Sequence, residues 1–237
     1  MESLMKPEST KTNLVILPTR GRPDNTARAI DFLKNNSSIS DICIALDDDD
    51  DHNYPRVDGV IYEVNQRLRM NGTLNLVANK YAANYASIFF MGDDHVTRTP
   101  DWDVKLYEPI KRRGYGLSYG NDLFQGESLA TAVMMSTNII ESLGFMAPPK
   151  LIHLYMDNFW MATGRVLKAL DYLGDVVIEH MHYLNGKAEQ DDRYQEVNSS
   201  DVYTRDRATF EAYITGEFKA DMHKLIADLG IQGLALE

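Results

Sequence analysis

Apolar residues in this chain follow two rhythms. Compact unbroken runs of four to seven residues alternate with longer stretches in which apolar positions recur every three or four residues. That alternation predicts strands and helices in turn, the signature of an α/β sheet. The first runs, Asn13–Pro18 and Asp41–Leu46, have the continuous apolar character of strands buried on both faces. Val60–Val64, the run ending at Met91, Ala130–Ser136 and Asp175–Tyr183 supply further strands. Helical spacing joins Ile30 to Leu33, and Leu74, Val77, Tyr81 and Tyr85 in a helix opened by Asn71-Gly72-Thr73. Thr99-Pro100 reads as the cap and first position of a helix carrying Trp102, Leu106 and Ile110. Thr137 caps a short helix closed by Gly144. Asp157 reads as the N-cap of a long helix lined by Phe159, Thr163, Val166, Leu167 and Leu170 and ended by Gly174. Gly114–Gly126 reads as a glycine- and aromatic-rich loop lining a site, and Asn185–Ser200 as a polar mobile loop. Thr204–Glu217 and Phe218–Leu229 are expected to be C-terminal helices. The expected architecture is a mixed, mostly parallel central sheet flanked by helices. Residues 1–184 form the main domain, and 185–237 a polar loop and helices packed on it.

Composition narrows the class. The 237 residues are 44% hydrophobic, enough for a full core in one large domain. A net charge of −11 excludes a global basic field for collecting nucleic acid, though not a local one. The single cysteine, Cys43, excludes an intrachain disulfide framework, fits a reducing compartment and reads as inert core. No apolar run reaches membrane-spanning length, and the polar stretch Met1–Thr12 lacks a secretory apolar region. The expectation is a cytoplasmic protein without a membrane partner.

The chemistry concentrates where strands end. Gly92-Asp93-Asp94-His95 follows an apolar strand directly. Alone it would read as a solvated carboxylate-rich loop; beside a nucleotide, such oxygen ligands suit Mg²⁺ or Mn²⁺, and an imidazole shifts the preference towards Mn²⁺. The turn Thr19-Arg20-Gly21-Arg22-Pro23, between the first strand and a helix, can grip phosphates with two guanidinium groups or simply hold two solvated arginines. Asp47 stands at the end of the second strand, where a carboxylate can accept hydrogen bonds from a base or ribose; Asp48–Asp51 read as solvated. On the polar face of the helix after Asn71, Asn79, Lys80 or Asn84 could reach a nucleotide. Strand alternation puts His180 and His182 on one face, a moderate metal signal.

The order of these elements and motifs from Asn13 to Tyr183 resembles the GT-A fold nucleotide-sugar glycosyltransferases, particularly the large family 2 group and its phage-borne members. The resemblance implies a Rossmann-like GT-A domain with a C-terminal helical extension. It implies that Thr19, Arg20 and Arg22 hold the nucleotide diphosphate and base, with Asp47 contacting uracil or ribose. Gly92-Asp93-Asp94 overlays the family's Asp-x-Asp motif with its first carboxylate replaced. In that register Asp93 faces the ribose and Asp94 binds Mn²⁺ or Mg²⁺; in a competing Asp-x-His register, Asp93 and His95 are the ligands. Asp157 matches the general base of inverting members. His182 matches the late histidine of the metal site, with His180 as the alternate.

The implied activity is transfer of a sugar from a nucleotide-sugar, expected to be a UDP-sugar, to an acceptor hydroxyl with inversion. In phage-like relatives the acceptor could be a hydroxymethylated pyrimidine in DNA or a sugar attached to it. Lys111-Arg112-Arg113 is the basic cluster that could meet DNA, or a solvated helix end favoured by the dipole. Two other classes compete. A nucleotidyltransferase making activated sugars uses similar carboxylates, but Thr-Arg-Gly-Arg-Pro is glycine-poor for its phosphate loop. A non-catalytic nucleotide-sugar-binding module would accommodate the loss of the first Asp of the motif.

Overall fold

The computed structural model describes residues 11–197 and 199–234, so most of the N-terminal segment read for targeting lies outside the described residues. Strands β1 (Asn13–Thr19), β2 (Ser40–Asp47) and β3 (Val60–Asn65) pair in parallel, and β1 also pairs in parallel with β4 (Ser87–Phe90). With β5 (His95–Thr97), β6 (Leu117–Asn121), β7 (Val133–Ser136) and β8 (Leu170–His180) they make one sheet ordered β3-β2-β1-β4-β7-β6-β8-β5. β7 is antiparallel to both β4 and β6, and β5 to β8.

Side-chain alternation explains why β1 and β2 read as unbroken apolar runs. Leu14, Ile16, Cys43 and Ala45 face one core layer, while Val15, Leu17, Ile42 and Ile44 face the other. The first layer is closed by α2 (Arg69–Tyr81), α4 (Thr137–Leu143), α5 (Met156–Val166), and the C-terminal helices α7 (Ser200–Thr215) and α8 (Phe218–Asp228), which contribute Tyr213, Met222 and Leu225. The second is closed by α1 (Pro23–Asn36) and α3 (Trp102–Arg113), through Ile30, Leu33, Trp102 and Leu106. Each fully buried large side chain contributes about 1.5–3 kcal/mol, and Phe89 and Trp102 also pack ring to ring at 4.4 Å. No helix among the described residues is long and apolar enough to cross a membrane.

Several element boundaries differ from the sequence pattern for identifiable reasons. α3 starts at Trp102 rather than Pro100, because the chain stays bound to the β8 edge: the amides of Arg98 and Thr99 donate to the Val177 carbonyl, and Thr99 Oγ1 accepts from the Val177 amide at 2.8 Å. Gly114–Gly126 is not one loop but contains β6. The Asp157 helix stops at Val166; the chain turns through Lys168 at positive φ, and Leu170–Gly174 begins β8 beside β6. Asp157 is not the cap: Tyr155 holds that position and Asp157 is the second helical residue. The cap of α4 is Ser136, not Thr137. The polar stretch after Asn185 holds a short helix, α6 (Asp192–Val197).

Candidate functional site

Because β1, β2 and β4 are parallel, their C-terminal ends bring Thr19, Asp47 and the Gly92–Asp94 turn to one edge of the sheet. A cleft of about 220 Å³ opens there, lined by Thr19, Arg20, Arg22, Asp47, Gly92, Asp93, Asp94, His95, Asp157, His180, His182 and Tyr194 among others. Of the sequence-predicted residues, Lys80, Asn84 and Lys111–Arg113 line no part of the cleft, and neither does Asn79. It is exposed, and its amide donates to the Gly144 carbonyl at 2.8 Å. The first turns of α2 reach the cleft through Met70 and Thr73, but Asn79 lies six residues, or roughly 9 Å, further along the axis.

The two carboxylates after β4 have different partners. Asp93 accepts from Thr19 Oγ1 at 2.7 Å and from Arg22 at 3.1 Å. Burial, reinforced by the adjacent Asp94 charge, pushes its carboxyl up despite those bonds. Asp94 faces two imidazoles, with Oδ1 3.1 Å from His95 Nδ1 and Oδ2 3.3 Å from His180 Nε2. Burial opposes its charge, yet these two contacts outweigh it and hold the carboxyl well below the usual range. His95 and His180 meet because they are direct partners across the antiparallel β5–β8 pair, their rings stacked at 4.0 Å.

Asp94, His95 and His180 place their ligand atoms within 4.8 Å of one another. This set takes Asp94 from one sequence register and His95 from the other. Asp93 is not in it, being occupied by Thr19 and Arg22. Nor is His182, the expected late histidine. That residue lies just beyond β8, its Nδ1 accepts from the Leu184 amide at 3.2 Å, and burial together with His180 pushes it down to about 4. His180, the alternate, stands in the set instead. The residues fit a divalent cation on two counts. One carboxylate and two imidazoles form a donor set suited to Mn²⁺ and other transition ions. The space beside them is kept open by Gly92, where a Cβ would lie 2.7 Å from Asp94 Oδ1 and 3.2 Å from His95 Nδ1.

Arginines line the other flank. Arg20 donates to Asp47 at 3.1 Å and is also paired with Asp49. Arg22 bridges Asp93 and Asp191, taking the latter through Nε and NH2 at 2.8 and 2.7 Å, and its guanidinium lies 4.1 Å over the Tyr194 ring. Tyr194 in turn donates its hydroxyl to Asp94 Oδ2 at 2.8 Å. Arg67 and Arg69, at the entry to α2, share Glu196. On the opposite wall, Asp157 and Trp160 project from one face of α5, three residues apart. Burial pushes the Asp157 carboxyl up to about 6, against the hydrogen bonds from the Asn158 amide and its own.

Sequence reasoning missed Tyr194, Asp191, Arg67 and Arg69, which belong to polar stretches without periodicity. Lys111-Arg112-Arg113 is not at the cleft. These residues end α3 just before β6, and β6 runs parallel to β4 because both oppose β7, so the trio lies at the far end of the strands. Arg113 is also held by Asp171 at 2.9 Å.

No protein-family profile matches the sequence, and no curated protein matches it. Solved structures do. TarS of S. aureus aligns with a TM-score of 0.53 at 11% identity over 70% of this chain and 36% of TarS, so the chain spans little more than a third of that protein. The mannosyltransferase PcManGT from Pyrobaculum calidifontis, solved in complex with GDP-Man and Mn²⁺, aligns with a TM-score of 0.51 at 12% identity over 99% of this chain and 80% of PcManGT. At these identities the likeness establishes the fold, which is that of the GT-A nucleotide-diphospho-sugar transferases.

Proposed function

We propose that this protein is a metal-dependent glycosyltransferase that moves a sugar from a nucleotide-sugar to an acceptor hydroxyl. The observation that carries this reading is one cleft in which the Asp94–His95–His180 set, the Arg20/Arg22 turn and the half-buried Asp157 face one another. Asp94, His95 and His180 would hold Mn²⁺ or Mg²⁺. A bound cation neutralises charge on the departing nucleoside diphosphate.

The chain's own groups supply the rest. Arg22 exchanges its contact with Asp191 for the diphosphate, adding a second source of positive charge where the leaving group develops its own. Asp47, at the end of β2, accepts hydrogen bonds from the base or ribose. Asp157 takes the proton from the acceptor hydroxyl as that oxygen attacks the anomeric carbon. The bond from the anomeric carbon to the β-phosphate oxygen breaks on the opposite side, so one displacement inverts the centre. Holding both substrates in one cleft supplies much of the remaining acceleration.

The donor base is expected to be uridine; PcManGT, of the same fold, was solved with a guanosine nucleotide, so the base is tested rather than assumed. A nucleic-acid acceptor would have to be met by groups other than Lys111–Arg113. The test is incubation with UDP- and GDP-sugars and Mn²⁺, following free nucleoside diphosphate and sugar. Slow metal-dependent donor hydrolysis supports transfer chemistry. Pyrophosphate release from a nucleoside triphosphate and a sugar phosphate, with no donor hydrolysis, would replace the reading with nucleotidyl transfer.

A further inference from the structure

Asp191, Tyr194 and Glu196 come from one short stretch, and each takes hold of a group in the cleft. Asp191 accepts from Arg22 Nε and Nη2 at 2.8 and 2.7 Å, the paired geometry that a guanidinium also offers to a phosphate. The Tyr194 ring lies 4.1 Å from the same guanidinium and covers one of its faces, while the hydroxyl donates to Asp94 Oδ2 at 2.8 Å. Glu196 accepts from Arg67 at 2.5 Å and pairs with Arg69, which lines the cleft at the start of α2. Two carboxylates thus stand against three guanidiniums on the side of the cleft that carries the Arg20/Arg22 turn.

The stretch is lightly held. α6 has six residues, far below the length at which a helix keeps its shape unaided. Of its described side chains, the buried ones are Tyr194 and Val197, and both line the cleft instead of joining either core layer of the sheet. Asp191 is 44% exposed and Glu196 40%, and ion pairs so open to water hold weakly. Upstream, the chain turns at Gly186 with φ +73°, where a Cβ would meet nothing within 4 Å. Downstream, Ser199 caps α7 through the Val202 amide and fixes where the stretch ends.

We propose that residues 188–197 form a displaceable strap in which Asp191 and Glu196 stand in for the anionic oxygens of a nucleotide. Donor binding exchanges the strap's carboxylates for the donor's phosphates and releases Arg22, Arg67 and Arg69 together. A lid that closes over bound nucleotide keeps acidic groups away from the guanidiniums that hold the phosphates. This stretch puts them there, so repulsion between like charges drives it off once a nucleoside diphosphate is seated. The inference rests on the reading of the cleft as a nucleotide-sugar site.

Two measurements on the full chain test it. One is hydrogen exchange of residues 188–197 at millisecond labelling times, with and without UDP or GDP plus Mn²⁺. The other is titration of the same nucleotides into wild type and Asp191→Asn/Glu196→Gln. The first substitution keeps the bond to the Tyr194 amide and the second alters an exposed side chain, so α6 stays capped. Exchange of the stretch should quicken when nucleotide binds. The double variant should bind nucleotide roughly tenfold tighter, because three guanidiniums lose their competing charges. Exchange that slows or stays the same on binding, or a double variant that binds no tighter than wild type, overturns the strap and leaves the nucleotide site standing. Failure of both proteins to bind any nucleoside diphosphate overturns the reading of the cleft itself.

Discussion

Tyr194 and Asp94 stand one hundred positions apart in the sequence, yet the phenol of one donates to Oδ2 of the other across 2.8 Å. The bond closes the C-terminal segment onto the carboxylate that faces both histidines. Tyr194 is 4% exposed, and its partner is charged, so the bond belongs to the stronger class. Tyr194→Phe is expected to lower the stability of the metal-free protein by about 1.5 kcal/mol. Urea unfolding of the two proteins measures this, and coincident transitions would show that the hydroxyl contributes nothing.

Gly92 offers a sharper probe of the cation site. Its φ is not in the left-handed region, so alanine meets no backbone strain there. The added Cβ would sit 2.7 Å from Asp94 Oδ1 and displace it. Gly92→Ala should fold with native circular dichroism and lose Mn²⁺ binding, as isothermal titration would record. Wild-type Mn²⁺ affinity in this variant would place the cation elsewhere.

Asp157 should leave its mark on the pH profile. Its carboxyl is pushed up to about 6 by burial, and only the charged form can take a proton. Transfer should therefore fall as pH drops through about 6. Stability has the opposite sign: a carboxyl whose folded value is raised contributes stability below its unfolded value, which is lost as pH rises through about 6. Asp157→Asn should reduce kcat by about 10²-fold or more while raising the melting temperature at pH 8. An active variant would remove Asp157 from the base role, and lower stability at pH 8 would contradict the raised carboxyl.

Asp191 holds the Arg22 guanidinium that the proposed function assigns to the diphosphate. It also caps α6 through the Tyr194 amide at 2.9 Å, a task asparagine performs as well. Asp191→Asn thus frees Arg22 without loosening the helix. Asp191 is 44% exposed and Arg22 10%, and exposed ion pairs are worth about 0.2–1 kcal/mol, so nucleoside diphosphate should bind at least several-fold tighter. Weaker binding on titration would mean that Asp191 supports the site rather than competing for it.

The sheet was legible in the sequence because both faces of β1, β2 and β4 are buried, which leaves unbroken apolar runs ending in polar clusters. The strand-end residues followed from that, since Thr19, Arg20, Arg22, Asp47 and Asp93–His95 need only the parallel order of their strands to converge. That His180 rather than His182 stands beside Asp94 and His95 was not legible. It depends on the register of β5 against β8, which pairs His95 with His180, and β5 is three residues long with no periodicity to announce it. Asn79 was misplaced because helical spacing gives a face but not how far along the axis the cleft extends. The Leu170–Gly174 strand start was hidden because Val166, Leu167 and Leu170 satisfy helical spacing across the turn at Lys168. Tyr194 had no signal, being a single aromatic in a polar stretch whose position is set by tertiary contacts to Arg22 and Asp94.

Asp94, His95 and His180, with the Arg20/Arg22 turn, are proposed to make a cation-dependent nucleoside diphosphate site. It is tested most directly by thermal unfolding with UDP, GDP and other nucleoside diphosphates, with and without Mn²⁺. A ligand at 100 times its dissociation constant adds about 2.7 kcal/mol of stability. The expected shift requires nucleotide and Mn²⁺ together and disappears in His180→Ala. A folded protein that no nucleotide stabilises with Mn²⁺ present would contradict it.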